Sequence, residues 1–334
     1  MRVFITGATG FIGRRLVDRL LSQGHDVTAL IRKDTQELPR RVERIRGTLD
    51  NDIPTLARVM RGHDVVFHLA AMVSFDTSAL GDLLRVNGEG TRKILAAARE
   101  ALVPRSVLVS SACTLGLSRT GETPLDESAV ASEALIRRNP YLRSKLLAEG
   151  HAKEAVHAGQ SVVIVNPTTV FGSGDKSLNA GTMVRQVARS RVIPVPPGGS
   201  NVADIDDVVD GMILAALRGR KGARYVLGGV NLTFREIIDR IAEVVGRRPM
   251  LVSVHSLARR PMMAAAWMVG RLTNSRLITP QIIADTFAYK FYSSRRAEVE
   301  LGWKARRDFT TTLSDAWDYY QREGLIIGPT GAIA

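Results

Sequence analysis

Short, wholly apolar runs alternate with stretches of helical period through the first half of the chain. Arg2–Ile5 is rich in β-branched and aromatic residues and predicts a buried strand. Behind it, Arg14–Ser22 carries Leu16, Val17, Leu20 and Leu21 at helical spacing. Strand patterns return at Asp26–Ile31, at 64–70 (DVVFHLA), at 106–110 (SVLVS) and at 161–166 (SVVIVN). Helical patterns fall between them at Ile53–Arg61, Val86–Leu102 and Tyr141–Ala158. Strands that are apolar on both faces, each followed by a helix, predict an α/β fold with a doubly wound parallel sheet.

Between the first strand and its helix stand Gly7, Gly10 and Gly13. In this strand-to-helix setting a glycine turn brings backbone N–H groups at a helix N-terminus up to a pyrophosphate, where a Cβ would hold the phosphate away. The same glycines also suit a tight turn with no ligand, so the context carries the reading.

Beyond Pro167 the alternation loosens. The stretch 194–201 (PVPPGGSN) reads as a loop, Asp206–Leu217 as a helix, and Ala223–Leu227 as a strand that rejoins the sheet. Helical patterns at Thr233–Val245, Leu257–Leu272 and Thr310–Arg322 have no strand of matching length beside them. They predict a smaller, mainly helical C-terminal domain closing over the carboxyl ends of the strands. The expected division is 1–170 for the dinucleotide-binding domain, with 202–228 rejoining it, and 171–334 for the substrate domain.

Composition narrows the class without changing the fold. The 334 residues are 45% hydrophobic and 24% charged, ordinary values for a globular enzyme. A single cysteine, Cys113, rules out an intramolecular disulfide, and six scattered histidines lack metal-ligand spacing, so no metal is expected. No signal peptide precedes the first strand and no apolar run is long enough to span a bilayer, which predicts a cytoplasmic chain. The net charge is +13, and the basic residues are spread over the whole length rather than gathered in one arm. It fits an anionic cofactor or a membrane surface better than nucleic acid, and no nucleic-acid partner is expected.

Tyr141 and Lys145 stand one helical turn apart, on one face of the long central helix. A free phenol titrates near pH 10, so a neighbouring ammonium that lowers its pKa would suit it to proton transfer. The preceding strand ends in Ser110-Ser111, whose hydroxyls could donate to a substrate carbonyl or simply form a turn.

Several stretches together carry a family resemblance: TGATGFIG at 6–13, HLAA at 68–71, VNGEGT at 86–91, VSSA at 109–112 and NPYLRSKLLAE at 139–149. The chain resembles an extended short-chain dehydrogenase/reductase of the NAD-dependent epimerase/dehydratase superfamily. PGGSNVADIDDVVDG at 197–211, GARYVLGGVNLTFREI at 222–237 and SSRRAEVELGW at 293–303 resemble its dihydroflavonol-4-reductase-like branch, with similarity to sterol dehydrogenases.

The resemblance implies a Rossmann-type fold and a homodimer paired through Val86–Leu102 and Tyr141–Ala158. It makes Tyr141 the general acid/base, Lys145 its electrostatic partner and a ribose ligand, and Ser111 the carbonyl-binding hydroxyl, with Ser110 as a substitute. Cofactor contacts are expected from Gly7, Thr9, Gly10, Phe11, Ile12, Gly13, Leu69, Ala70, Ala71 and Pro167, besides Tyr141 and Lys145. His68 either joins the cofactor loop or is a hydrogen-bonded structural histidine, and Asn87 and Asn166 are open in the same way.

The second strand ends Leu30-Ile31-Arg32-Lys33, with Ile31 where related sugar epimerases carry an acid for the ribose 2′-OH. Arg32, helped by Lys33 or Arg14, would pair with a 2′-phosphate, so NADP(H) is the favoured cofactor and NAD(H) the alternative. Two departures from the family pattern are Thr48, where relatives carry Asp, and Leu115, where sugar-nucleotide members carry Tyr. The expected reaction interconverts a ketone and a secondary alcohol on a bulky hydrophobic small molecule. The competing reading is a nucleotide-sugar epimerase or dehydratase holding NAD tightly. The run 261–269 (PMMAAAWMV), flanked by Arg259, Arg260 and Arg271, suits a hydrophobic ligand, a peripheral contact with membrane, or a packed helix.

Overall fold

A computed structural model describes residues 1–33, 35–118, 120–273 and 280–326. Its centre is a parallel sheet formed from β1 (Arg2–Thr6), β2 (Asp26–Ile31), β3 (Glu43–Arg46), β4 (Val65–His68), β5 (Arg105–Val109) and β6 (Val162–Pro167). The chain then makes β7 (Thr169–Phe171), β8 (Val192–Val195), β9 (Gly199–Asp204) and β10 (Arg224–Leu227). Strand β10 pairs in parallel with β6 and completes a seven-stranded sheet in the order β10-β6-β5-β4-β1-β2-β3. The order reverses beside β1, which places a topological switch point at the glycine turn.

The wholly apolar runs are the buried strands: β4 and β6 have no exposed residue. Strand β3 carries no such signature because it is the exposed edge, where Glu43, Arg44 and Arg46 protect an open ladder. The helix expected from Val86 begins at Leu80, passes through a π-helical turn at Leu84–Glu89 and continues as α-helix to Glu100. Helices of fewer than ten residues at Glu133–Arg138, Gly181–Arg189, Pro280–Thr286 and Arg295–Leu301 lie outside the periodic segments read from the sequence.

The loop expected at 194–201 is narrowed to 196–198, its flanks belonging to β8 and β9. Pro194 sits at an exposed edge position of β8, where its missing N–H costs nothing. Gly199 begins β9 because a Cβ there would lie 2.5 Å from the carbonyl oxygen of Leu232 on the neighbouring strand. The glycine permits close strand approach rather than a turn. β11 (Val230–Thr233), β12 (Met250–Ser253) and β13 (Tyr289–Lys290) complete the set: β11, β9, β13 and β7 form one small sheet, and β12 pairs with β8. A second apolar cluster, centred on Phe171, Ile237, Leu313 and Tyr320, underlies these elements. The C-terminal stretch 327–334 of the expected substrate domain lies outside the described residues.

Candidate active site

The glycine turn combines two kinds of requirement. Gly7 has φ +77°, and a Cβ on it would lie 2.6 Å from the backbone nitrogen of Ala70; one on Gly13 would lie 2.1 Å from the carbonyl oxygen of Gly7. The chain's own packing demands both. At Gly10 the nearest atom to an added Cβ is the Gly7 oxygen at 3.3 Å, and the residue is exposed, as is Thr9. Gly10 caps the helix Phe11–Ser22 without a side-chain hydrogen bond, and no acid stands in the first turn. The amides around Phe11 and Ile12 are therefore open to an anion at the positive end of the helix dipole. An exposed position that the chain crowds less than Gly7 or Gly13 fits the approach of a pyrophosphate.

Leu69 and Ala70 leave β4 against this turn, their backbone N–H groups donating to the Thr6 carbonyl at 3.1 Å and the Thr6 hydroxyl at 3.3 Å. Ala71 follows them, exposed. His68 resolves to the structural reading. It is buried between the hydroxyls of Thr6, 2.6 Å from Nδ1, and Thr91, 3.0 Å from Nε2. Burial lowers its pKa to about 3, so it is neutral in the fold.

Arg32 and Lys33 stand exposed at the end of β2, with no ion pair among the described residues. Arg14 is committed elsewhere. It donates to the Gly174 carbonyl at 3.2 Å and lies 3.7 Å from Glu37, which in turn pairs with Lys176 at 2.7 Å. Arg14 would have to leave these partners to help at a 2′-phosphate.

At the other end of the carboxyl edge, Asn139 caps the helix Pro140–His157 by accepting from the Leu142 N–H at 2.9 Å, with Pro140 in the first helical position. This cap sets Tyr141 in the first turn. Ser111, two residues beyond the end of β5, and Tyr141 line the same cavity. Lys145 lies with its Nζ 5.9 Å from the centre of the Tyr141 ring and donates to the Val109 carbonyl at 3.0 Å. Burial lowers Lys145 to about 8 and raises Tyr141 above its ordinary value, against the lowering expected from the sequence. The lysine is directed at a backbone carbonyl, and burial dominates at the phenol.

Ser110 is corrected from possible substitute to structural element. Its hydroxyl donates at 2.6 Å to Glu149, which is 2% exposed. The same carboxylate oxygen accepts from Thr114 at 3.0 Å and Asn166 at 2.8 Å, while its other oxygen pairs with Arg224 at 3.1 Å. Asn166 also donates to the Ser111 carbonyl at 3.1 Å. Tyr141, Lys145 and Glu149 thus share one helical face, and Glu149 ties that face to β5, β6 and β10. The buried acid could have been suspected from its place four residues after Lys145, but its partners come from three strands and connections far apart in sequence.

Asn87, in the π-helical turn, accepts from the Met72 N–H at 2.7 Å and donates to the Met72 carbonyl at 2.9 Å and the Ser144 hydroxyl at 2.8 Å. It thereby fastens the loop after β4 to the Tyr141 helix. Phe75 of that loop meets Tyr141 edge-on, ring centres 5.9 Å apart. A cavity of about 180 Å³ opens here, with Ser111, Tyr141 and Pro167 in its wall alongside Phe75, Leu142 and Tyr292. Cys113 also lines it, and burial pushes its thiol up to about 11, which keeps it from acting as a thiolate nucleophile. The C-terminal wall is supplied by Asp285, Lys290 and Tyr292, not by 261–269. The helix Arg259–Thr273 carries that methionine-rich run, and Trp267 and Met268 on it are exposed.

A switch-point glycine turn joined to a Ser, Tyr and Lys site along one sheet edge defines a nicotinamide-dependent oxidoreductase class. Residues 3–228 match the model of the "NAD dependent epimerase/dehydratase family", and the chain belongs to that family. It is an NAD(P)-dependent enzyme of the extended short-chain dehydrogenase/reductase type. A Synechocystis sp. protein provisionally named a dihydroflavonol 4-reductase is 30% identical, over 97% of this chain and 95% of its own. The 4-hydroxy-2-methyl-3-oxo-4-farnesyl-3,4-dihydroquinoline-1-oxide ketoreductase of Stigmatella aurantiaca is also 30% identical, over 92% of this chain and 91% of its own. Among solved structures, the crystal structure of gox2253 superposes with a TM-score of 0.82 at 28% identity, covering 97% of this chain and 99% of that one.

Proposed function

We propose that the protein interconverts a ketone and a secondary alcohol on a bulky hydrophobic substrate, with NADP(H) as the hydride carrier. The observation that carries this reading is the cavity wall. Phe75, Leu117, Leu135, Leu142 and Tyr292 give the wall around Ser111 and Tyr141 a largely apolar surface, with Asp285 and Lys290 as charged groups on its C-terminal side. A carbonyl oriented by the two hydroxyls would therefore sit against mainly apolar side chains. The similarity to a ketoreductase acting on a farnesylated quinoline supports the same substrate class.

When bound, the nicotinamide supplies the hydride in reduction and accepts it in oxidation. Ser111 donates to the substrate oxygen, and Tyr141 transfers its phenolic proton to that oxygen as charge develops on it. The Lys145 ammonium stabilises the phenolate left behind, which regains a proton from solvent. Oxidation runs the same proton transfers in reverse. Burial favours the protonated form of Tyr141, so the site is set to donate until charge develops.

The exposed guanidinium of Arg32, which has no ion pair among the described residues, supports the choice of NADP(H). Titration with NADPH and NADH tests it: NADPH should bind more tightly, and Arg32→Ala should lose about tenfold in NADPH affinity, the scale of one charge-assisted contact, with little change for NADH. Equal affinities in the parent would remove the NADP assignment. NAD carried through purification would place the epimerase reading ahead of the reductase.

A further inference from the structure

We propose that the surface built on Leu257 and the helix Arg259–Thr273 docks on anionic membrane lipid. Between residues 244 and 284 the sequence has six arginines and neither an aspartate nor a glutamate. Such a stretch is strongly cationic within a chain that otherwise mixes its charges. Along the helix, Arg260, Ala264, Trp267, Met268 and Arg271 recur at the spacing of a single face, and all are exposed. Trp267 is 56% exposed, Met268 55%, and Leu257, just ahead of the helix, 82%.

The opposite side of the helix carries Met262, Met263 and Ala266, which are covered to varying degrees. The helix is therefore apolar on both sides, while only one side is covered by the protein. Its exposed side has an apolar centre with an arginine at each end, and Arg271 lies over the Trp267 ring at 5.6 Å.

Two properties select the occupant. The charge requires an anionic surface, which disfavours a second copy of this basic chain. The large exposed apolar side chains require insertion into a nonpolar medium, which a nucleic-acid backbone does not offer. Arg259 and Arg260 also sit at the positive end of the helix dipole, with no acid in the first turn and no ion pair among the described residues. Anionic headgroups at that position would relieve this unfavourable placement.

The full-length protein should float with vesicles of phosphatidylglycerol and phosphatidylcholine, should bind pure phosphatidylcholine far less, and should be released by salt. Trp303 and Trp317 are buried, so a blue shift of emission on binding, and its quenching by brominated lipid, would report Trp267. Replacing Trp267 and Met268 with Ser should lower partitioning at least about tenfold, and each of Arg259→Ser and Arg260→Ser about fivefold. Unchanged thermal melting would show that these surface variants fold. Absence of flotation at low salt, or equal flotation of the Trp267/Met268 variant, would overturn the proposal. Self-association abolished by that variant without vesicle binding would assign the face to a second copy instead. Binding to duplex DNA without an emission shift, and without flotation, would assign it to nucleic acid.

Discussion

The two ends of the sheet's carboxyl edge are built by opposite means. Beside β1 the site is defined by missing side chains: at Gly7 and Gly13 an added Cβ would strike backbone, while at the exposed Gly10 it would meet only the Gly7 oxygen, at a tight 3.3 Å. Beside β5 the site is defined by buried side chains, with Glu149 gathering Ser110, Thr114, Asn166 and Arg224 beneath Ser111. The first end leaves room and exposed amides for a ligand. The second fixes reacting groups through a charged knot whose members depend on one another. Damage to the open position at the first end should therefore appear in ligand affinity, whereas damage to the knot should appear in folding and turnover together.

The largest test of this contrast is Tyr141→Phe. It removes the proton donor while keeping the ring that meets Phe75, so kcat should fall about 10²–10⁴-fold with nucleotide affinity nearly unchanged. Single-turnover oxidation of the reduced cofactor reads the loss, and a variant turning over at the parent rate would remove Tyr141 from the proton-transfer role. Glu149→Ala comes next. It leaves the Arg224 guanidinium, whose side chain is 15% exposed, without its carboxylate and strands three donors, so unfolding free energy measured in urea should drop by about 3–5 kcal/mol. A smaller loss for Glu149→Ala combined with Arg224→Met than for Glu149→Ala alone would show that the stranded charge dominates. Additive losses would dissolve the knot into independent contacts.

The first end can be divided within itself. Gly10→Ala should lose less stability than Gly7→Ala, because its methyl group meets the chain only at the Gly7 oxygen, yet should bind either nucleotide about tenfold or more weakly because that methyl also stands where the pyrophosphate approaches. Gly7→Ala should lose more than about 1 kcal/mol of stability, since it meets both the positive φ and the Ala70 backbone. Thermal melting and nucleotide titration on the same two variants separate the effects, and the contrast fails if both lose only stability.

The same division explains what could be read from the chain alone. A turn that needs glycine announces itself within TGATGFIG, and Tyr141 and Lys145 lie on a single helix, so their juxtaposition follows from local geometry. Buried strands were visible because both faces are apolar. Edge strand β3 was not, because its charged side chains suit an open ladder, and β13 has only two residues. The Glu149 knot was hidden because its partners reach it from positions 17 to 75 residues distant in sequence. The role of His68 was undecided for the same reason: Thr6 is 62 residues away.

The smallest effect concerns His68, the neutral counterpart of the charged knot. Its pKa falls from an ordinary 6.5 to about 3 because burial between Thr6 and Thr91 disfavours the imidazolium. Between those values the unfolded chain binds a proton that the folded chain does not, so stability falls as pH drops through this window. A single such group contributes a slope of about 1.4 kcal/mol per pH unit well below 6.5. The measurement belongs between about pH 6 and pH 5, above the range in which most ordinary carboxylates titrate. His68→Gln retains an acceptor and a donor while removing the titration. Its unfolding free energy should therefore be lower than that of the parent at pH 7, with a flatter dependence below pH 6. Parallel curves for parent and variant would mean that His68 is protonated in the fold, leaving two buried charges along this sheet edge instead of a neutral tie at one end and a charged one at the other.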